Sequence, residues 1–289
     1  MKRQSFWSIL FLVLVLLVLY LPIVTVVAYS FNANPGRSPV EFTGFTTRWY
    51  HDLFSGTRGY GEALWVSVKV ALWSTAISVV IGTLGAIGMA QRSLLPEAKP
   101  SRSAGLMETL VSLPIMIPEI ILGMAFMAIF YGVGLPFGTL TLVLSHTTFC
   151  IPYIFLTVKG QLVGMDPALF DAARDLGATP QRVLVDITLP LVRPAIVSGA
   201  FLAMAMSLDD FIISFFLYGS GSVTLPVKIY SSVRVGVSAQ INALCSVMIA
   251  VAFLAISLSQ YLGAIRGARQ RRKALRHTRP LLQAQTPNH

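Results

Sequence analysis

Residues 167–190 read PALFDAARDLGATPQRVLVDITLP, and this stretch opens with the start and stop signals of a short helix. Asp166 is a good N-cap, because its side chain accepts hydrogen bonds from the first backbone N–H groups of a helix. A helix is predicted over 168–176, and Gly177 follows it as the residue type that ends helices in the left-handed conformation. The sequence therefore predicts one helix of about ten residues at this point.

The same stretch begins a second short helix. Thr179 is its predicted cap, and we expect the helix to run over 181–189 and to end at Pro190. Helices of about ten residues are not stable alone in water, so the pair needs a partner surface. The first helix offers an apolar face for one, made of Leu169, Phe170, Ala172, Ala173 and Leu176. An amphipathic hairpin lying on the lipid interface is the alternative.

Apolar runs flank this loop on both sides. The chain has 289 residues, of which 55% are hydrophobic and only 12% charged. Since a bilayer core is spanned by about 20 helical residues, and backbone groups in lipid must be satisfied internally, these runs predict membrane helices. We therefore expect an all-α integral membrane protein with six transmembrane helices, at about 6–28, 63–90, 106–130, 139–158, 195–217 and 241–264.

The basic residues predict the orientation of these spans. Sixteen Lys and Arg residues lie in one set of alternate loops and only five in the opposite set. The positive-inside rule then places both termini in the cytoplasm of a multi-pass inner-membrane protein. The first run is preceded by Lys2 and Arg3, as in a signal peptide, but its length favours a retained helix. The net charge of +10 is concentrated in the tail, which favours lipid headgroups over nucleic acid.

The loop resembles the "EAA" signature of ABC importer permeases, E-A-A-x3-G-x9-I-x-L-P. The spacing is met at every position, with an aspartate in place of the glutamate. In that family the loop is the coupling helix that docks on a cytosolic ATPase. The resemblance thus implies a role in ATPase coupling for Asp171, Ala172, Ala173, Gly177, Ile187, Leu189 and Pro190.

The same resemblance implies the architecture and the partners. The chain is expected to be a single permease domain over 1–289 with the type I importer fold, a coupling loop at 159–194 and a disordered basic tail at 265–289. Its partners would be a homologous second permease, two cytosolic ATPases and an extracytoplasmic binding protein. No P-loop motif is present in the sequence, so we expect no enzyme activity and no cofactor in this chain, with ATP and Mg²⁺ held by the ATPases.

Further motifs resemble the second permease of spermidine/putrescine transporters. They lie at 29–32 (YSFN), 44–50 (GFTTRWY), 145–150 (SHTTFC), 207–210 (SLDD) and 225–234 (LPVKIYSSVR). The likeness extends from about residue 19 to residue 260. It implies the import of polyamines by alternating access.

Ionisable groups inside predicted spans point to a solute path, because such groups are costly in lipid. Carboxylates and aromatic rings suit a cationic solute. The candidates, which helical rise places at similar heights in the bilayer, are Glu119, Asp209, Asp210 and His146, together with Phe149, Tyr153, Phe211 and Phe215. For either aspartate the alternative is a structural role, capping a helix break or pairing with an arginine of a partner chain. His146 and the aromatic residues have packing as their alternative.

Three other functions are compatible with parts of this pattern. The same scaffold would serve another cationic or small organic solute. An intramembrane aspartyl enzyme using Asp209 lacks a second aspartate in a GxGD-like context. A purely structural membrane scaffold predicts no effect of removing that carboxylate.

Overall fold

The structure is a computed structural model that describes residues 6–34, 41–55, 59–93, 102–236, 238–254 and 257. Over these residues the backbone is almost entirely helical, and the one β-type pairing is an isolated bridge between Asn32 and Phe45. The chain forms a larger compact unit, Arg58–Ser231, and a smaller one built from its two ends. The helices are α1 (Phe6–Tyr29), α2 (Arg48–Phe54), α3 (Tyr60–Ser93), α4 (Arg102–Met116), α5 (Glu119–Gly132), α6 (Thr139–Val163), α7 (Ala168–Asp175), α8 (Pro180–Arg182), α9 (Leu189–Asp209), α10 (Ile212–Leu217), α11 (Leu225–Val235) and α12 (Ala239–Leu254).

Three long helices, α3, α6 and α9, form the core of the larger unit. Small residues let them approach closely, as in other membrane helix bundles. A Cβ added to Gly82 of α3 would lie 3.0 Å from the carbonyl oxygen of Ile151, and one added to Gly199 of α9 would lie 3.2 Å from the Cα of Ile154. Helix α6 is therefore packed tightly between its two neighbours.

The third apolar run is broken, whereas a single helix over 106–130 was predicted. Helices α4 and α5 meet at an angle of 102°. Pro118 has an extended backbone (φ −53°, ψ 130°), and a residue that precedes proline, here Ile117, is disfavoured in the helical region. Pro114 and Pro118 predict an interruption and a bend inside this span. The bend is confirmed at Pro118, and it is large enough to divide the span into two helices.

The fifth run is broken as well. Helix α9 ends at Asp209, Asp210 is extended (φ −61°, ψ 121°), and the short helix α10 begins at Ile212. One helix over 195–217 was predicted, because this run contains no proline that would indicate a break. The breaks in α4–α5 and α9–α10 each leave a carboxylate residue at a helix end.

The second loop helix was predicted to end at Pro190, and this prediction is wrong. The helix continues through Pro190 into α9, as one helix over Pro180–Asp209. Between α8 and α9 the segment Val183–Thr188 is a π-helix, in which the N–H of Leu189 bonds to the carbonyl five residues back, on Leu184. A proline has no N–H to give to an α-helical ladder and clashes with the carbonyl four residues before it. The wider π turn lets the helix pass this point.

Among the described residues, four helices are long and apolar enough to cross a membrane. They are Trp7–Tyr29, Tyr60–Ala90, Thr139–Val163 and Pro180–Asp209, and the bent pair α4–α5 is a possible fifth span. The described part of the sixth run, α12, has apolar composition but is shorter than these. The count of six spans and the single-domain assignment therefore stay predictions. The basic tail over 265–289 lies outside the described residues.

The smaller unit contains an ordered turn after α1. The indole N–H of Trp49 donates to the carbonyl of Asn32 at 2.7 Å, and the rings of Phe31 and Phe45 stack with centroids 5.0 Å apart. Trp49 also packs with Ala239 and Ala243 of α12. These contacts belong to two of the polyamine-permease motifs in the sequence, which therefore have a structural use here.

Candidate functional site

The loop helix α7 has the ends that the sequence predicts. A carboxylate oxygen of Asp166 accepts the N–H of Ala168 at 2.9 Å. Gly177 has φ +78°, and the two N–H groups that follow the helix bond back to carbonyls of its last turn at 2.8 and 3.0 Å. This is the Schellman arrangement, which needs a left-handed residue at the position of Gly177. The predicted role of this glycine as a helix stop is confirmed.

Part of the apolar face of α7 is buried inside the loop, and part of it is exposed. Phe170 and Ala173 are buried against Val183 of the π-helix, with Met165, Ala178 and Ile187 packed around them. Leu169 and Ala172 are exposed, and Leu176 is 89% exposed. The loop thus has its own small core, and it still presents leucines that this core does not use.

Of the remaining residues of the EAA-like motif, some pack inward and some are exposed. Ile187 and Leu189 pack inward, the first on the loop core and the second on the core of the helix bundle. Asp171 and Pro190 are exposed, and the aspartate forms an ion pair with Arg174 at 3.2 Å. The inward residues hold the loop rigid and join it to the bundle, while the outward residues are available to a partner.

A buried polar cluster lies at the break between α9 and α10. The ring of His146, on α6, is fully buried. Its Nδ1 lies 2.7 Å from the hydroxyl of Ser207, and its Nε2 lies 3.1 Å from the hydroxyl of Ser214 and 3.3 Å from the carboxylate of Asp210. The hydroxyl of Ser207 also lies 3.3 Å from that of Ser74 on α3. One histidine therefore joins both sides of the break, as a connecting residue inside the bundle.

The carboxylate of Asp210 caps α10. It accepts the N–H groups of Ile213 and Ser214 at 3.2 and 2.8 Å, in addition to its contact with His146. A negative group is favourable at a helix N-terminus, where backbone N–H groups lack partners. Asp210 thus has the structural surroundings that the sequence left as an alternative.

Asp209 has very different surroundings. It is exposed, and it forms no hydrogen bond or ion pair with any residue that the structure describes. It is also the last residue of α9, where the helix dipole disfavours a negative charge. Glu119, the first residue of α5, is likewise exposed and unpaired within the described part of the chain.

A pocket lies beside Glu119. Its wall includes Phe149 and Tyr153 from α6, Ile213 from α10, and the residues around the α4–α5 break. The pocket therefore brings together one carboxylate and two of the aromatic residues that the sequence selected.

The other two selected aromatics form a separate group. The rings of Phe211, Phe215 and Tyr230 are mutually in contact, with centroid distances of 4.7 Å for Phe211–Tyr230, 5.5 Å for Phe211–Phe215 and 5.8 Å for Phe215–Tyr230. All three are partly exposed. Phe211 and Phe215 follow Asp209 closely in the chain, whereas Tyr230 belongs to α11.

Sequence reasoning missed several of these residues. Ser207 and Ser214 are polar residues on either side of the Asp209–Asp210 pair, which was an available signal. Tyr230 lies in a predicted loop that is in fact helix α11, and nothing in the sequence points to its ring contact with Phe211. No group of three or more metal-binding side chains occurs among the described residues.

Long apolar helices, with two spans broken at carboxylate residues, indicate a membrane protein with polar groups inside its helix bundle. The chain belongs to the family "Binding-protein-dependent transport system inner membrane component", whose model matches residues 82–273. This is a family of ABC importer permease subunits, which are not enzymes themselves. The predicted family and the absence of enzyme activity are therefore confirmed.

Two named relatives are similar over nearly the whole chain. The putrescine transport system permease protein PotI of Escherichia coli (strain K12) is 33% identical over 282 residues, which are 96% of this chain and 97% of PotI. The spermidine/putrescine transport system permease protein PotC of Haemophilus influenzae is 34% identical over 250 residues, which are 86% of this chain and 93% of PotC.

Two solved structures share the fold. One is a bacterial ABC transporter involved in the import of the acidic polysaccharide alginate, with a TM-score of 0.62, 14% identity, and coverage of 90% of this chain and 99% of that one. The other is the inward-facing MetNI methionine ABC transporter, with a TM-score of 0.56, 19% identity, and coverage of 74% and 95%. The predicted fold, that of an importer permease, is confirmed.

Proposed function

We propose that this chain is a permease subunit of an ATP-driven importer that moves polyamines, putrescine or spermidine, into the cytoplasm. The observation that carries the choice of solute is Asp209, an exposed carboxylate at a helix break that forms no ion pair with the described residues. An ammonium group would supply the opposite charge that Asp209 lacks. The relatives PotI and PotC, whose names give putrescine and spermidine, support the same choice.

The partners follow from the family. Importer permeases work with a second permease, with ATPases and with a binding protein. For this chain we propose a homologous second permease, two cytosolic ATPases that hold ATP and Mg²⁺, and an extracytoplasmic binding protein that delivers the polyamine. The outer loop of 220–240, which carries Lys228 and Arg234, would receive the loaded binding protein. Both termini would lie in the cytoplasm of a cell with this chain in its inner membrane.

The mechanism would begin at α7. ATP binding would close the ATPases and displace the loop, whose exposed Leu176 and Asp171 would contact them. Since Ile187 and Leu189 pack the loop onto the bundle, the displacement would reach α9 as a rigid movement. The route would then open alternately to each side of the membrane, with Glu119 and Asp209 as the cation contacts.

Asp209→Asn is expected to lower the rate of putrescine uptake at least tenfold. A hydrogen bond to a charged group contributes about 1.5–3 kcal/mol, and about 1.4 kcal/mol corresponds to a factor of ten. The measurement is uptake of labelled putrescine and spermidine by cells without their own polyamine uptake, which express the chain with its neighbouring subunits.

Two variants make this test specific. Asp209→Glu keeps the charge and should retain part of the uptake, while Glu62→Gln, an exposed carboxylate at the start of α3, should leave it unchanged. If the assembled wild-type complex takes up neither polyamine, the proposed solute is wrong. If Asp209→Asn transports as well as the wild type, this carboxylate is not a solute contact.

Tyr230→Leu is expected to lower polyamine uptake about two- to thirtyfold. An ammonium over an aromatic face gains about 0.5–2 kcal/mol, and the leucine removes the ring that contacts Phe211. Tyr230→Phe keeps the ring and should transport nearly normally. Tyr218→Leu is the control, because it removes the ring of a different tyrosine that also contacts Phe215, with the two ring centroids 6.3 Å apart. Equal uptake by the leucine variants at 218 and 230 would contradict a special role of Tyr230.

A further inference from the structure

An ion pair joins α4 to α6 near the loop. The ammonium of Lys159 contacts the carboxylate of Glu108, and the two side chains are 25% and 40% exposed. Glu108 is the only acidic residue of α4, and Lys159 is the only Lys or Arg of α6. The pair lies inside the larger unit, and neither residue belongs to the solute site or to the EAA-like motif.

The position of Glu108 requires an explanation, because no other charged residue follows the first turn of its helix. A lysine near the end of a membrane helix extends readily toward the headgroups, so Lys159 alone needs no partner. A short acidic side chain does not have this reach, and an unpaired carboxylate at a membrane edge is costly. Glu108 therefore indicates that contact with Lys159 matters to the protein.

The pair connects two parts of the proposed mechanism. Lys159 precedes the loop cap Asp166 by seven residues, so it lies at the stem of the loop. Glu108 lies eight residues before Met116, the last residue of α4, which corresponds to about 12 Å of helix. The far end of α4 is the 102° break that precedes Glu119. One ion pair thus links the loop stem to the helix that leads to a candidate solute contact.

The two halves of the broken span are held differently. A Cβ added to Gly123 of α5 would lie 2.7 Å from the ring of Phe216 and 3.4 Å from the Cα of Ile213, so α5 is packed closely on α10. Helix α4 packs on α6, through Val111 among others, and contributes the charged contact. The break separates these two attachments. The ion pair therefore connects the loop stem to α4 and not directly to α5.

We infer that Glu108 and Lys159 are positioning residues that transmit the movement of the loop to α4 and so to the break at Glu119. The inference rests on the proposed function, because it assumes that partner ATPases move the loop. Neither residue contacts the solute in this scheme. Loss of either charge leaves the loop and the ATPase contact intact and disconnects them from α4.

The experiment follows α4 directly. Met116, 76% exposed at the end of α4, is replaced by cysteine in a chain whose two native cysteines are alanines. The rate at which a water-soluble maleimide labels Met116→Cys is measured in the whole complex, without nucleotide and with ATP plus vanadate. We expect the two rates to differ at least threefold in this background, and to become equal when Glu108→Gln or Lys159→Met is added.

The exchanged pair supplies the decisive control. Glu108→Lys combined with Lys159→Glu keeps an ion pair and should restore the difference in labelling, whereas Glu62→Gln should not affect it. With wild-type cysteines, the single variants should hydrolyse ATP normally but take up at least fivefold less putrescine per ATP. The inference is overturned if either single variant keeps the nucleotide-dependent labelling, or if the exchanged pair behaves like the single variants.

Different results would contradict the proposed solute and the role of the Glu108–Lys159 ion pair. A wild-type complex that changes its labelling with nucleotide but takes up no putrescine contradicts the proposed solute, while the dependence of labelling on the ion pair still supports the inference. Uptake that is normal in the wild type and in both single variants contradicts the inference and supports the proposed function.

Discussion

Gly177→Val is expected to reduce ATP-driven uptake at least tenfold while the chain still reaches the membrane. Gly177 has φ +78°, and an L-residue in the left-handed region costs about 1–2 kcal/mol, with β-branched residues the least tolerated. Helix α7 has only eight residues, so it cannot absorb the loss of its two closing hydrogen bonds. Leu176, the exposed neighbour of this glycine, would lose its fixed position on the loop surface.

The measurement compares uptake and ATPase retention during purification across three variants. Gly164→Val is the matched control, because this glycine lies in the same loop with φ −82°, which any residue adopts. Gly177→Asn should be intermediate, since asparagine tolerates the left-handed region. If valine at 177 and valine at 164 have equal effects, the helix stop has no importance for coupling.

His146→Leu is expected to destabilise the folded chain by at least about 1–3 kcal/mol, because the buried carboxylate of Asp210 loses one of its hydrogen-bonding partners. The side chains of His146 and Asp210 are 1% and 4% exposed, so water cannot replace the lost contact. Ser207 and Ser214 would lose their bonds to the ring as well. The measurement is the melting temperature of the purified complex, together with the amount of chain in the membrane.

A second variant separates the charge from the packing. Combining His146→Leu with Asp210→Asn removes the buried carboxylate charge. The double variant should be more stable than His146→Leu alone, because no buried charge is then left without its partner. Thr148→Val changes an exposed side chain of the same helix and should have little effect. A melting temperature for His146→Leu equal to that of Thr148→Val would show that the buried cluster does not stabilise the break.

The features that could be predicted from the sequence are those that local chemistry determines. The apolar runs predicted α1, α3 and α6 to within a few residues, because a membrane requires continuous apolar helices. The signals at Asp166 and Gly177 predicted both ends of α7, because caps are set by neighbouring backbone groups.

The features that could not be predicted depend on partners far along the chain. His146 was selected as a candidate solute contact, and its position is set by Ser207 and Asp210, more than sixty residues away. The break after Asp209 has no proline, and it is stabilised by that same buried cluster. Sequence reasoning placed the polar residues at similar heights but not on particular sides of their helices.

The solute is the least determined feature of the fold. The same architecture occurs in a transporter involved in alginate import and in a methionine transporter. A fold that serves such different molecules does not select among them, so selection belongs to particular side chains. This is why the experiments on Asp209 and Tyr230, rather than further comparison of folds, test the polyamine proposal.

The π-helical turn at Val183–Thr188 determines the rotation of everything after it. A π turn holds one residue more than the hydrogen-bond closure of an α turn requires, and one residue corresponds to about 100° around a helix axis. Without the extra residue, α9 would present a different side to its neighbours, and Ser207 would point away from His146. The nine residues between Gly177 and Ile187 therefore set the rotation of the helix that follows. This rotation determines the direction of Ser207, some twenty residues further along the chain.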